Sequence, residues 1–343
     1  MSMNGAEAWQ AHVNKFNRVA AKAKESFSVL TSSTIKLLNY SENATYLATN
    51  EEKQEKYILR VCRPNYHTKS EIESEMAWIK SIHESSPIEV SLPIVGDNGE
   101  YIQKVKLEDG PQEYCCSLFT FLKGEAPDEN KESELIRQFE NLGEITAQLH
   151  EHSIKNHQTF SSFKRLTWDY ETILGENPKW ARWQDGLGMT PERKKLFQRV
   201  SETIKHRLDK FGKGPTRFGL IHGDLRLANL LVDGEHIKVI DFDDCGFGWY
   251  LFDLGTSLSF IEHKHYVPSL IDAWLKGYRK VRHLSKEEEQ EIPTFIMMRR
   301  LMLISWVGSR ENETTKELGS EYTIQTDPLA EKYLEDFEHS NVN

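Results

Sequence analysis

Residues 218–255 read FGLIHGDLRLANLLVDGEHIKVIDFDDCGFGWYLFDLG. Leu220-Ile221 is a short apolar run entering His222-Gly223-Asp224, and Asn229 lies five residues after Asp224. Two apolar segments follow, 230–232 and 237–240, separated by Asp233-Gly234-Glu235-His236. Strand-prone runs around such a turn predict a β-hairpin. A hairpin folds the chain back, so Asn229 at its entry and Asp241 at its exit come close, within a residue or two of register. With Asp224 just upstream, three oxygen-bearing side chains gather at one end of a small ribbon. That is the donor set a hard Mg2+ ion needs.

Asp-x-x-x-x-Asn followed by Asp-Phe-x matches the template for phosphoryl transfer. In that template the first Asp orients or accepts the acceptor's hydroxyl proton, while the Asn and the later Asp hold Mg2+ across the nucleotide phosphates. The reaction needs alignment and charge neutralisation more than covalent help, so carboxylates and an amide suffice. The pattern assigns Asp224 as catalytic base and Asn229 and Asp241 as metal ligands. Any one of them alone would read as a turn or strand-end cap; the combination does not. His222, between an apolar run and a glycine, reads as a hydrogen-bonded brace. Arg226 has two readings: stabilising charge on the transferring phosphoryl group, or pairing with Asp243 or Asp244.

Upstream, a helix over 6–25, rich in Ala and Lys, reads as a surface helix. Strand-like runs at 33–38, 44–48 and 57–61 form a meander, and a helix follows over 70–83 with a Ser70-x-x-Glu73 capping box. Further strands are expected at 90–95, 100–105 and 114–122, with Asp97-Asn98-Gly99 turning a hairpin between the first two. On the 70–83 helix, Ile72, Met76 and Ile79 make an apolar stripe, and Glu75 lies on it. A carboxylate on a buried face needs a partner, and Arg60, in a strand otherwise of Tyr, Ile, Leu and Val, is the natural one.

After a hinge at 123–127 the pattern turns helical, over 131–151, 190–210, 268–283 and 285–307. The most apolar stretch, 295–307, is interrupted by Arg299-Arg300, is too short for a membrane span and reads as a buried helix. Residues 311–343 read as a loosely packed helical tail. Trp168, Tyr170, Trp180 and Trp183 read as core packing of an inserted helical hairpin, with an acceptor-lining role as the alternative. His150 and His152, like His263 and His265, lack zinc-site spacing and read as helix-end and surface histidines. No G-x-x-x-x-G-K-[ST] and no G-x-S-x-G occurs, which excludes P-loop and elbow-hydrolase chemistry by motif.

Composition supports an ordinary globular chain of 343 residues with 28% charged residues and a net charge of -10. The negative balance disfavours nucleic acid as a partner. Four cysteines in no framework spacing and no leader-like start point to a cytoplasmic protein away from membranes.

The chain resembles the aminoglycoside phosphotransferase and choline kinase-like enzymes, which share the protein-kinase-like fold. Their pattern H-G-D-x-x-x-x-N, then I-D-F/W-x-D/E, then D-L is met by His222-Gly223-Asp224, Asn229, Ile240-Asp241-Phe242-Asp243-Asp244 and Asp253-Leu254. Tyr57-Ile58-Leu59-Arg60-Val61 and Ser74-Glu75-Met76-Ala77-Trp78 look like the branch of bacterial stress-response Ser/Thr kinases. The resemblance, over about 33–310, implies an α+β, bilobal fold with a β-rich N-lobe and a mainly helical C-lobe. The N-lobe, residues 1–122 with the leading helix, would bind ATP. The C-lobe, residues 123–343, would carry the catalytic loop, the Mg2+ site and the acceptor site. It also implies that Arg60, paired with Glu75, contacts the nucleotide phosphates, that Phe119 and Phe121 belong to the adenine-binding hinge, and that Asp253 braces the catalytic loop. Many relatives carry Lys where Arg60 stands, and no G-x-G-x-x-G loop is present, so a phosphate-covering loop would use Ser41, Asn43 and backbone N–H groups. The implied activity is transfer of the γ-phosphoryl group of ATP to a small-molecule hydroxyl, of an amino alcohol, an amino acid alcohol or an aminoglycoside. The alternatives are a protein Ser or Thr acceptor and a nucleotide-binding pseudoenzyme.

Overall fold

The computed structural model describes residues 5–40, 43–310 and 312–338. The chain divides into two units: one holds residues up to Glu84 together with Glu89–Lys123, the other Ser85–Ile88 and everything from Gly124.

In the first unit, α1 (Gly5–Lys24) precedes β1 (Thr34–Tyr40), β2 (Ala44–Asn50) and β3 (Glu55–Val61); α2 (Lys69–Ser85) then leads to β4 (Pro93–Ile94), β5 (Ile102–Lys106) and β6 (Glu113–Thr120). The sheet is antiparallel, in the order β1-β2-β3-β6, and both β4 and β5 pair with β6. The turn at Gly99 forms, but the strands it joins lie end to end along one edge of β6 and do not pair as the expected hairpin. β6 is long enough to offer Leu118-Phe119 to one and 113–117 to the other. β2 alternates strictly, burying Ala44, Tyr46 and Ala48. Against that face lie Phe16, Val19, Ala20 and Ala23 of α1. The helix expected on the surface is therefore the cover of the sheet, and its buried alanines, Ala20 and Ala23, permit close approach. The N-terminal cap of α2 also differs from expectation. Thr68 and Glu71 exchange the capping bonds, Thr68 N–H to Glu71 Oε2 at 2.7 Å and Glu71 N–H to Thr68 Oγ1 at 3.3 Å. Ser70 and Glu73 fit the same spacing, but the helix starts a residue before them.

The second unit runs α3 (Glu132–Lys155), α4 (His157–Phe160), β7 (Leu166–Trp168), α5 (Tyr170–Ile173), α6 (Pro191–Phe211), β8 (Phe218–Ile221), β9 (Leu230–Asp233), β10 (His236–Val239) and β11 (Gly246–Trp249). Helices follow: α7 (Phe252–Ser257), α8 (Val267–Tyr278), α9 (Lys286–Gln290), α10 (Ile292–Ser309), α11 (Glu313–Leu318), α12 (Glu321–Ile324) and α13 (Thr326–Phe337). α3 buries Leu135, Phe139, Leu142 and Leu149 at helical spacing and packs on α8 through two glycines. A Cβ on Gly143 would fall 2.0 Å from the Trp274 carbonyl, and one on Gly277 1.8 Å from that of Glu140. The expected helix over 285–307 is two helices, because Pro293 has no N–H to donate and its ring crowds the preceding turn. The region of Trp168 and Trp183 is not a helical hairpin; it holds β7, which pairs parallel with β11, and the short helix α5. The C-terminal segment is not loosely packed: Tyr322, Ala330, Tyr333 and Leu334 are buried. Among the described residues no helix is long and apolar enough to cross a membrane.

Candidate active site

The site of the second unit is built on the turn after β8. β8 pairs antiparallel with β11, and Gly223 in the turn has φ +79° with its would-be Cβ 2.7 Å from the Asp244 carbonyl. Glycine is therefore required twice over, by backbone conformation and by space. Asp253 at the start of α7 clamps the loop: its Oδ2 accepts the His222 N–H at 3.1 Å and its Oδ1 the Gly223 N–H at 2.8 Å. The Leu225 N–H donates to Thr256 Oγ1 at 2.9 Å. His222 is fully buried, accepts the Asp224 N–H on Nδ1 at 3.2 Å and donates from Nε2 to the Ile240 carbonyl at 3.1 Å. It is a brace between loop and hairpin.

The hairpin of β9 and β10 pairs Leu230 with Val239 and Asp233 with His236, turning on Gly234 at φ +64°. The Ile240 N–H donates to the Asn229 carbonyl at 3.0 Å, which sets Asn229 opposite Ile240 and Asp241 one residue further on. Asp241 has φ 63° and ψ 68°, a left-handed conformation that carries a cost of about 1–3 kcal/mol for a non-glycine residue. Its side chain is exposed. Asn229 is buried, and its amide nitrogen donates to the Asp224 carbonyl at 2.9 Å and to Asp224 Oδ2 at 2.8 Å. Asn229 Oδ1 accepts no hydrogen bond among the described residues.

Asp224 receives two guanidinium groups. Arg226 Nε donates to Oδ2 at 3.2 Å, and Arg299 Nη2 donates to Oδ1 at 2.5 Å. Arg226 thus pairs with Asp224 and not with Asp243 or Asp244. Burial works to raise the Asp224 carboxyl, but Arg299 and then Arg226 outweigh it and hold the group below the ordinary carboxylate range. The residue stays ionised. Arg299, buried on α10, was read in the sequence only as an interruption of an apolar helix. A buried guanidinium demands a carboxylate, which was the available signal, but its partner lies 75 residues away.

His150 is likewise not a surface histidine. It is fully buried, between Tyr278 Oη at 2.8 Å on Nδ1 and Asp253 Oδ2 at 3.1 Å on Nε2. Arg282 Nη1 donates to Tyr278 Oη at 2.7 Å, so that hydroxyl donates its hydrogen bond to Nδ1, and Nε2–H donates to Asp253. Burial pushes the His150 imidazole below its ordinary value, keeping it neutral. A relay of buried bonds therefore runs from α8 through α3 to Asp253 and the loop it clamps. Arg165 and Trp168 hold the far side of that loop's surroundings: Arg165 donates to the carbonyls of Asp243 and Cys245, and Trp168 Nε1 to the Asp244 carbonyl at 2.7 Å.

In the first unit, Arg60 on β3 meets Glu75 on α2 in a fork, Nη1 to Oε1 at 2.7 Å and Nη2 to Oε2 at 2.8 Å. Both are buried, and the Phe119 ring lies 4.9 Å from the Arg60 guanidinium. Asn43 Oδ1 accepts the Arg63 N–H at 3.0 Å. Phe121 lies one residue past the end of β6, exposed, with Lys56 Nζ 5.5 Å from its ring. Ser41 lies outside the described residues.

Residues 34–284 match the phosphotransferase enzyme family, and the chain belongs to it. Among solved structures, a microcompartment-associated aminopropanol kinase is 38% identical with a TM-score of 0.83, covering 93% of this chain and 97% of that one. The amicoumacin kinase of Bacillus subtilis (strain 168) is 24% identical over 297 residues, 81% of this chain and 84% of that protein. The structure of an amicoumacin kinase in complex with AMP-PNP, Ca2+ and Ami shares the fold at a TM-score of 0.71 and 20% identity, covering 92% and 93% of the two chains. The fold is thus the α+β, kinase-like fold of these phosphotransferases, and the resemblance read from His222-Gly223-Asp224 onward is borne out.

Proposed function

We propose that the chain transfers the γ-phosphoryl group of MgATP to the hydroxyl of a small amino alcohol, of the aminopropanol or ethanolamine kind. The observation that carries the chemistry is the ionised Asp224, fixed by three side-chain donors beside Asn229 and the strained Asp241. The acceptor class rests on likeness: the aminopropanol kinase is alike over nearly the whole of both chains.

Asn229 Oδ1 and the Asp241 carboxylate are hard oxygen donors suited to Mg2+, and the amide nitrogen of Asn229 is turned away to Asp224, which leaves its oxygen for a cation. When bound, the metal would neutralise charge on the nucleotide phosphates. Asp224 orients the incoming hydroxyl and accepts its proton. A carboxylate held at low pKa is a weak base, which suits a loose transition state in which the proton leaves late. Arg226 balances charge next to Asp224. The Arg60–Glu75 pair presents a fixed guanidinium for the nucleotide phosphates, with Phe119 and Phe121 at the adenine hinge and Asn43 in the covering turn.

The test is ADP release from MgATP with aminopropanol, ethanolamine, propan-2-ol, an aminoglycoside and a protein extract as separate acceptors. The proposal expects the amino alcohols to stimulate strongly and propan-2-ol not to. Phosphate appearing only on protein Ser or Thr would overturn it in favour of a protein kinase.

A further inference from the structure

We infer that Arg299 is a positioning residue for this reaction: it closes one of the two remaining acceptor sites of Asp224 and so dictates where the incoming hydroxyl binds. The inference deepens the proposed function and rests on it for the identity of the acceptor.

An ionised carboxylate offers about four lone-pair sites, two on each oxygen. On Asp224 Oδ2, both are filled, by Asn229 Nδ2 at 2.8 Å and Arg226 Nε at 3.2 Å. On Oδ1, Arg299 Nη2 at 2.5 Å fills one. Among the described residues nothing donates to the other. One site therefore remains for a hydroxyl, and its direction is set by where Arg299 stands.

Arg299 is held to that place from three sides. Its Nε donates to Ser259 Oγ at 3.0 Å, its Nη1 to Met302 Sδ at 3.8 Å, and its guanidinium lies 5.5 Å from the Trp180 ring; it is 1% exposed. The next residue anchors the helix. Arg300 donates to Glu262 Oε2 at 2.7 Å, to Thr326 Oγ1 at 2.8 Å and to the Tyr322 carbonyl at 2.7 Å, and Tyr322 Oη donates to Glu262 Oε1 at 3.0 Å. Two consecutive arginines on one helix thus point apart, one into the C-terminal segment and one onto Asp224. The first fixes the rotation of α10 and the second uses it. A planar fork bound at Nε and Nη2 has little freedom to swing, and a lysine cannot reproduce it.

A residue that only stabilises the fold lowers all rates together. A residue that aims the hydroxyl lowers transfer to the acceptor more than transfer to water, which needs no fixed orientation. The experiment measures, for the full chain, kcat and KM for aminopropanol and MgATP together with acceptor-independent ATP hydrolysis. Arg299→Met is expected to lose on the order of 100-fold in kcat for transfer, with KM for MgATP unchanged and the ratio of hydrolysis to transfer raised. Arg299→Lys is expected to show the same raised ratio. Ser259→Ala, which frees Nε and leaves the charge in place, covers the case in which Arg299→Met does not fold; it is expected to lose several-fold in transfer with the ratio raised. An unchanged ratio in Arg299→Lys and Ser259→Ala overturns the inference. If the wild-type chain phosphorylates no amino alcohol, the proposed function falls separately. The ratio is then read with the acceptor that the stimulation screen identifies, and the same two results support or overturn the role of Arg299.

Discussion

Two carboxylates, one in each unit, Glu75 buried and Asp224 partly buried, are met by arginine and yet end differently. Glu75 is fully buried and both its oxygens are taken by the single fork of Arg60. Asp224 keeps 13% of its side chain exposed, takes donors from three residues and has one lone-pair site unfilled. Glu75 is closed and acts only by holding a cation in place. Asp224 is open on one side, and that opening is what lets a carboxylate do chemistry. The same ion pair therefore serves as scaffold or as site, according to whether its carboxylate is sealed from solvent or open to it.

The comparison breaks most sharply in Asp224→Asn. Its kcat should fall roughly 1000-fold, in the range for losing a positioned general base, while KM for MgATP stays within a few-fold; steady-state kinetics reads both. Glu75→Ala should do the reverse in kind, costing about 3–5 kcal/mol of stability because it takes the carboxylate from a buried ion pair, as urea denaturation would show. Were Glu75→Ala as stable as the parent, the closed pair would not be scaffold. Gly223→Ala sharpens the contrast within the second unit. Strain at φ +79° and the Asp244 carbonyl in the way should cost about 1–3 kcal/mol, with kcat lowered. The smallest effect concerns His150, which Asp253, Tyr278 and, nearby, Arg282 and Glu151 surround. Its imidazole is held below its ordinary value, so the unfolded chain takes the proton first. Stability should be full above about pH 7 and fall as the pH drops below about 6.5. His150→Gln should flatten that part of the Tm profile.

What could be read in the sequence was what is local in it. The hairpin, the Asp224–Asn229 spacing and Asp241 all lie within 18 residues, and short-range geometry brings them together without knowledge of the rest. Arg60 and Glu75 were legible because a charge on an apolar strand and one on an apolar helix stripe imply each other. Arg299 and His150 were not, since their partners are 75 and 103 residues distant. The C-terminal segment was misjudged for a related reason. Its polar composition hides that Tyr322 and Thr326 meet Arg300, whose own need for partners was visible only as a flaw in an apolar helix. The Thr68 and Ser70 caps show the opposite limit: two identical local signals, of which packing selects one.

The most direct measurement is 31P NMR of a reaction of the wild-type chain with MgATP and aminopropanol, beside Asp224→Asn. The account predicts a phosphomonoester signal, coupled to the carbinol proton, growing in step with ADP in the wild type and absent in the variant. Inorganic phosphate alone, or an ester formed equally by Asp224→Asn, would contradict it.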